Sequence, residues 1–197
     1  MVEKVTAIVF RLGLLLGLVA LPANGLAHRL DEYLQATLVA IEPNEVRLQI
    51  NLTPGVAVAD RVLARIDRDH DGVISTNEAA AYAESVRRDL TVVLDQRKVA
   101  LHFTVSNFPA PAELRTGWGI IQLEFSAAVD SLPAGAHKLT LKNRHLPSLS
   151  VYLLNAAQPR SDLVQVTRQT RNKQQSTGEI EFVISAKASP QAARVSN

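Results

Sequence analysis

The 197-residue chain contains no cysteine. That absence excludes disulfides, thiolate metal sites, a lipid-modified cysteine and a cysteine nucleophile. Aromatic residues are scarce: one tryptophan, three tyrosines and five phenylalanines. The few large rings are therefore expected to anchor the core, with Phe103, Trp118, Phe125, Tyr152 and Phe182 as candidates. Neither sign of charge dominates, since 21 Lys and Arg face 19 Asp and Glu for a formal net charge of +2. Such a balance argues against general nucleic-acid binding, which needs a basic excess or stripe. The nearest basic cluster, Arg168, Arg171 and Lys173, reads as the solvated end of a strand and its loop. There is no internal repeat and no long low-complexity run.

The chain also lacks any long apolar run except one, from Leu12 to Leu21. Lys4 and Arg11 precede it, and Gly25-Leu26-Ala27 follows as a small-x-small site. A run this short falls below the roughly 20 residues of a spanning helix and fits the apolar region of a signal peptide. Cleavage after Ala27 makes His28 the first mature residue. The expected compartment is the bacterial periplasm or exterior, and no other segment is expected to cross a membrane. The expected organisation is a signal peptide over 1–27, one domain over 28–187 and a disordered tail over 188–197. A chain of this size can bury roughly 70% of its unfolded surface, enough for a core without covalent staples.

What the chain does contain is the stretch Asp67-Arg-Asp-His-Asp-Gly-Val-Ile-Ser-Thr-Asn-Glu78. Oxygen donors fall at the first, third, fifth and twelfth positions: Asp67, Asp69, Asp71 and Glu78. Gly72 stands at the sixth, where the chain turns sharply and a Cβ would cost strain. Val73 at the seventh offers its backbone carbonyl, and Ser75 at the ninth can hold a bridging water. Hard oxygen donors without nitrogen or sulfur suit Ca2+. Ser75 and Glu78 also form the S-x-x-E pattern of a capping box at the start of a helix. The two roles are compatible.

Flanking patterns support helices on both sides. Thr53-Pro54 reads as an N-cap and first helical residue. Val56, Ala59, Leu63 and Ile66 follow at helical spacing, although Gly55, Val56 and Val58 predict a short helix. Beyond the loop, Ala79, Tyr82, Ala83, Val86 and Leu90 form one apolar stripe. Over about residues 54–90 the chain thus resembles an EF-hand, which implies a helix-loop-helix holding one Ca2+ through Asp67, Asp69, Asp71, Val73, Ser75 and Glu78. EF-hands generally come in pairs, and no second loop of this pattern occurs here. Ile74, the eighth loop residue, therefore needs cover from elsewhere: the rest of the chain, a second copy or another protein. His70, at the fourth position, is expected to face solvent.

Alternation dominates the remainder. Leu34, Ala36, Leu38 and Ala40 alternate with Gln35, Thr37 and Val39. Val46, Leu48, Ile50 and Leu52 alternate with Arg47, Gln49, Asn51 and Thr53, and Pro43-Asn44 joins the two runs as a hairpin turn. Further strands are predicted at 91–94, 100–105, 120–125, 138–141, 151–154, 164–168 and 179–184, with Thr170 to Thr177 as a loop or hairpin tip. Short strands separated by Pro and Gly turns indicate a mostly β protein, an antiparallel β-sandwich with the helix-loop-helix inserted between its second and third strands. No Ser/His/Asp arrangement is visible, so the chain is expected to be non-enzymatic, with a structural or protein-interaction role.

Two further readings concern the mature start. A terminal histidine offers amine and imidazole nitrogen to copper or nickel, a donor set that calcium does not favour. His28, joined by His102, His137 or His145, would then make a periplasmic copper/nickel-binding carrier or a transporter accessory protein. In addition, His28-Arg-Leu-Asp-Glu-Tyr-Leu-Gln-Ala-Thr, Asn51-Leu-Thr-Pro-Gly-Val-Ala-Val-Ala and Asn143-Arg-His-Leu-Pro together resemble extracytoplasmic regions of bacterial nickel/cobalt-type transporters. No membrane domain follows in this chain. The resemblance therefore implies a role beside a membrane transporter or another envelope protein, and not transport by this chain alone.

Overall fold

The computed structural model describes residues 31–186. The expected signal peptide, His28 and the expected tail over 188–197 lie outside the described residues. Within them the protein is mostly β, two five-stranded sheets packed together as a sandwich.

Strands β1 (Tyr33–Glu42) and β2 (Glu45–Pro54) form the predicted hairpin, with Glu42 opposite Glu45 and Pro43-Asn44 as its turn. Two short helices follow, α1 (Ala59–Ile66) and α2 (Thr76–Asp89), joined by the acidic loop. The chain then runs through β3 (Leu90–Leu94), β4 (Arg97–Val99), β5 (His102–Asn107), α3 (Pro111–Arg115), β6 (Ile121–Ala128) and β7 (Gly135–Asn143). It closes with β8 (Ser150–Ala156), β9 (Val164–Arg171) and β10 (Thr177–Ile184). One sheet has the order β5-β6-β2-β1-β8, the other β4-β3-β7-β10-β9. The pairings are antiparallel except one: β8 runs parallel to β1, from Tyr33 opposite Ser150 to Val39 opposite Ala156. That pairing brings the end of the β7–β8 connection beside the start of β1, where the Tyr33 N–H donates to the Leu149 carbonyl.

The inner faces follow period-two burial. Val46, Leu48, Ile50 and Leu52 of β2 are buried as the alternation predicts. On β1 the buried side is the other one: Tyr33, Gln35, Thr37, Val39 and Ile41 face inward, and Leu38 is 38% exposed. A period of two leaves only these two choices of face. The bulky Tyr33, Val39 and Ile41 take the core side, and the polar Gln35 between them is satisfied by hydrogen bonds described below.

Four other expectations are corrected. Pro54 is not the first helical residue; it ends β2 opposite Tyr33, and a turn closed by the Val58 N–H on the Gly55 carbonyl delays α1 until Ala59. The strand predicted at 100–105 is split. β4 belongs to one sheet and β5 to the other, and the chain crosses between them at Ala100 and the buried Leu101. The polar run from Thr170 is strand as far as Arg171, and the hairpin tip is confined to 172–176. Trp118 and Phe103 do not anchor the core, being 72% and 39% exposed, whereas Phe125, Tyr152 and Phe182 are buried.

The short α3 had no counterpart in the sequence pattern. Pro111 starts it, and Gly119 lies against its back. A Cβ on Gly119 would stand 2.7 Å from the Leu114 nitrogen and 2.8 Å from the Glu113 carbonyl carbon. Backbone atoms cannot yield as a side chain can. Gly119→Ala is therefore expected to destabilise the protein by about 1–3 kcal/mol. The midpoint of denaturant unfolding measures the loss.

Candidate metal loop and the polar relay behind it

The acidic loop begins where α1 ends. Val62, Leu63 and Ile66 bury the inner face of α1, so Asp67, the next residue, leaves the helix at the edge of the core. Its carboxylate is buried, unlike those of Asp69 and Asp71. Asp67 Oδ2 accepts the Gly72 N–H at 3.1 Å, while Asp67 Oδ1 is buried with no hydrogen-bond partner. Carboxylate oxygens of Asp67, Asp69 and Asp71 lie within 4.8 Å of one another. Two local bonds shape the turn: the Asp71 N–H donates to Asp69 Oδ1 and the Val73 N–H to Asp71 Oδ1. Gly72 takes φ +82°, the left-handed conformation anticipated from its place in the loop. His70, at φ 60°, is exposed as expected.

Glu78 is placed differently. It is not one of the three clustered carboxylates. Instead it completes the capping box of α2, accepting the Ser75 N–H at 3.0 Å, the Ser75 hydroxyl at 2.8 Å and, across the loop, the Arg68 N–H at 2.6 Å. These bonds, those from Ser75 first, hold its carboxyl well below the usual range, at about 2. The loop is thus closed from its first residues to its last by Glu78. Ile74 packs against the protein's own core, so cover for it comes from this chain.

At its far end α2 meets a buried polar relay. Tyr33 and Tyr82 hydroxyls are 2.8 Å apart, Tyr82 lies 3.1 Å from His145 Nε2, and His145 Nδ1 lies 2.8 Å from Asp89 Oδ2. A carboxylate only accepts, so Nδ1 carries the imidazole proton. Burial, partly opposed by Asp89, lowers the His145 pKa and keeps the ring neutral, leaving Nε2 as an acceptor. The direction follows: Tyr33 donates to Tyr82, Tyr82 to His145 and His145 to Asp89. Burial also raises the pKa of both tyrosines.

The loop bearing His145 is stitched to β1 and β8. The His145 carbonyl accepts from Gln35 Nε2 at 2.8 Å and from the Tyr152 hydroxyl at 2.9 Å. Asn143 donates to Gln35 Oε1 and accepts the His145 N–H. Three distant segments, at 33–35, 82–89 and 143–152, therefore meet behind the acidic loop. The sequence offered only a faint sign of it, a polar Gln and Thr inside a strand together with a His flanked by Asn143 and Pro147.

The histidines proposed as partners for His28 are placed as follows. His102 is exposed on β5. Both ring nitrogens of His145 are engaged in the relay, and both of His137 are engaged as well, Nδ1 with Asp95 Oδ2 at 2.6 Å and Nε2 with the Pro133 carbonyl at 2.8 Å. Two acceptors require two N–H groups, so the His137 bonds fit the imidazolium. Burial pulls its pKa down, but the bonds to Asp95 and Pro133 outweigh burial and leave it above the ordinary value.

The signs for the two histidines are opposite. The raised His137 contributes stability that is complete below its unfolded pKa of about 6.5 and is lost as pH rises through the folded value. The lowered His145 contributes stability that is present above about 6.5 and is lost as pH falls through its folded value. With Asp95 part-exposed, the His137 effect should be on the order of 1 kcal/mol or less. Melting curves from pH 6 upward should show a fall in wild type that is absent in His137→Gln. An identical fall in both would count against a protonated His137 held between Asp95 and the Pro133 carbonyl.

Comparison of the chain with protein-family models and with curated proteins found no match.

Proposed function

We propose that the loop from Asp67 to Glu78 is a single EF-hand that binds one Ca2+ on an exported β-sandwich, with a structural or protein-interaction role. The observation that carries this reading is Asp67 Oδ1, a buried carboxylate oxygen without a partner that belongs to a cluster of three carboxylates. A buried unpaired charge is costly, and a cation is what relieves it. The donors are all oxygen, which fits Ca2+ and not a softer metal. Asp67, Asp69 and Asp71 would hold the ion with the Val73 carbonyl, a water on Ser75 and Glu78. The ion supplies the positive charge that the carboxylates lack. Glu78 would trade part of its bonding to Arg68 and Ser75 for the metal.

The role is that of a staple and not a switch. One end of α2 is tied to the loop by Glu78, the other to the sandwich by Tyr82 and Asp89, and Ile74 is already packed. Sensor hands work by opening a pair of helices, and among the described residues no second loop of this pattern stands beside this one. Among the described residues no helix is long and apolar enough to cross a membrane. Export rests on the N-terminal pattern. A membrane transporter or other envelope protein as partner rests on the resemblance of three segments, two of which, at Tyr33-Gln35 and Asn143-His145, converge on the relay.

Calcium at tenfold its dissociation constant should add about 1.4 kcal/mol. For a chain of this size that raises the melting temperature by about 3–6 °C relative to chelator. Superimposable melting curves in calcium and in chelator would refute the proposal.

A further inference from the structure

A second site lies beside the metal loop. Between α1 and α2, on the side of the loop bearing His145, is a cleft of about 400 Å3. Arg65 and Arg68 line it, with Ser85, Asp89, His145 and Leu146. Neither guanidinium has a carboxylate partner among the described residues; the only side-chain bond of the two is from Arg65 to the Arg61 carbonyl. The one acid in the cleft, Asp89, is already engaged by His145 Nδ1. Two guanidinium groups without a carboxylate partner therefore line a cleft whose one carboxylate, Asp89, is hydrogen-bonded to a neutral ring and keeps its charge. Leu146, which takes the left-handed φ of 47°, adds apolar surface, and Tyr82 lies buried beneath.

We propose that this cleft binds a small organic monocarboxylate, its carboxylate held by Arg65 and Arg68 and its apolar body lying against Ala64 and Leu146. Guanidinium groups match a carboxylate by paired, charge-assisted hydrogen bonds. A concave, mainly apolar site with a few converging polar groups is the usual form of a small-molecule pocket. Asp89 sets the charge of the ligand, because one carboxylate left in the cleft disfavours a dianion such as phosphate. The positive field reaches the floor. Burial is the main reason that His145 has a lowered pKa, and Arg65 adds to it. A bound carboxylate would offset that field. The site does not rest on the calcium reading, and it can be tested without calcium.

The experiment is an NMR titration of the His145 ring in the full chain, in chelator, with hexanoate as probe and inorganic phosphate as the comparison anion. Hexanoate should shift the His145 signals saturably and raise the His145 pKa. Arg65→Gln and Arg68→Gln, both at exposed positions, should keep the melting temperature and weaken hexanoate binding about tenfold or more. The absence of a saturable shift would overturn the proposal. Unchanged affinity in both variants would overturn it too, and so would phosphate binding as tightly as hexanoate, which would mark an unselective basic surface.

Discussion

Replacing Tyr82 with alanine is expected to lower the free energy of unfolding by about 3–5 kcal/mol, the range for removing a buried aromatic ring. The ring is 2% exposed and makes edge contacts with Phe108 and His145. Its hydroxyl is the middle of the relay, so alanine opens a cavity and also strands the Tyr33 donor and the His145 acceptor. Tyr82→Phe keeps the ring and removes only the hydroxyl. It is expected to cost about 1–3 kcal/mol, the desolvation penalty of the polar groups left unpaired. Urea unfolding of the two variants separates packing from hydrogen bonding. A phenylalanine variant as stable as wild type would show that the relay adds nothing to the fold.

Asp67→Asn should act in opposite directions with and without calcium. Without the ion, the carboxylate places a buried, unpartnered oxygen close to Asp69 and Asp71. Asparagine keeps an oxygen for the Gly72 N–H and turns an NH2 group toward the two remaining carboxylates. Two like charges about 4 Å apart repel by on the order of 1 kcal/mol even in water. The calcium-free variant should therefore melt at or above the wild-type temperature. With calcium, the loss of one charged ligand should weaken binding about tenfold or more, a difference of about 1.4 kcal/mol. Melting curves of both proteins in chelator and in calcium test the crossing. If the variant were destabilised in chelator, Asp67 would be a structural acceptor and not a ligand held in readiness.

The sandwich was legible where one side of a run is wholly apolar. Val46, Leu48, Ile50 and Leu52 leave no choice of face, and the hairpin through Pro43-Asn44 follows from the turn chemistry. On β1, both faces carry apolar residues. The face turned inward carries Gln35, which the core can accept only because Asn143, His145 and Ser150, more than a hundred positions away, satisfy it. Periodicity cannot see them. Thr53-Pro54 looked like a helix start because both residues suit one, yet the ladder to β1 holds Pro54 in the strand. Trp118 looked like a core anchor by its size alone. At the site, the spacing of Asp67, Asp69 and Asp71 predicted their convergence, since five consecutive residues turning at a glycine have little freedom. The S-x-x-E pattern likewise predicted the capping box. The relay of Tyr33, Tyr82, His145 and Asp89 was not readable, because its members come from three segments that only the parallel pairing of β1 with β8 and the packing of α2 bring together.

The most direct test of the central claim is calorimetric titration of calcium into chelator-stripped full-length protein, beside Asp67→Asn. The account predicts one site per chain, with a dissociation constant of roughly 0.1–1 mM, and a heat that largely disappears in the variant. No heat in the wild type, or the same isotherm in both proteins, would contradict it.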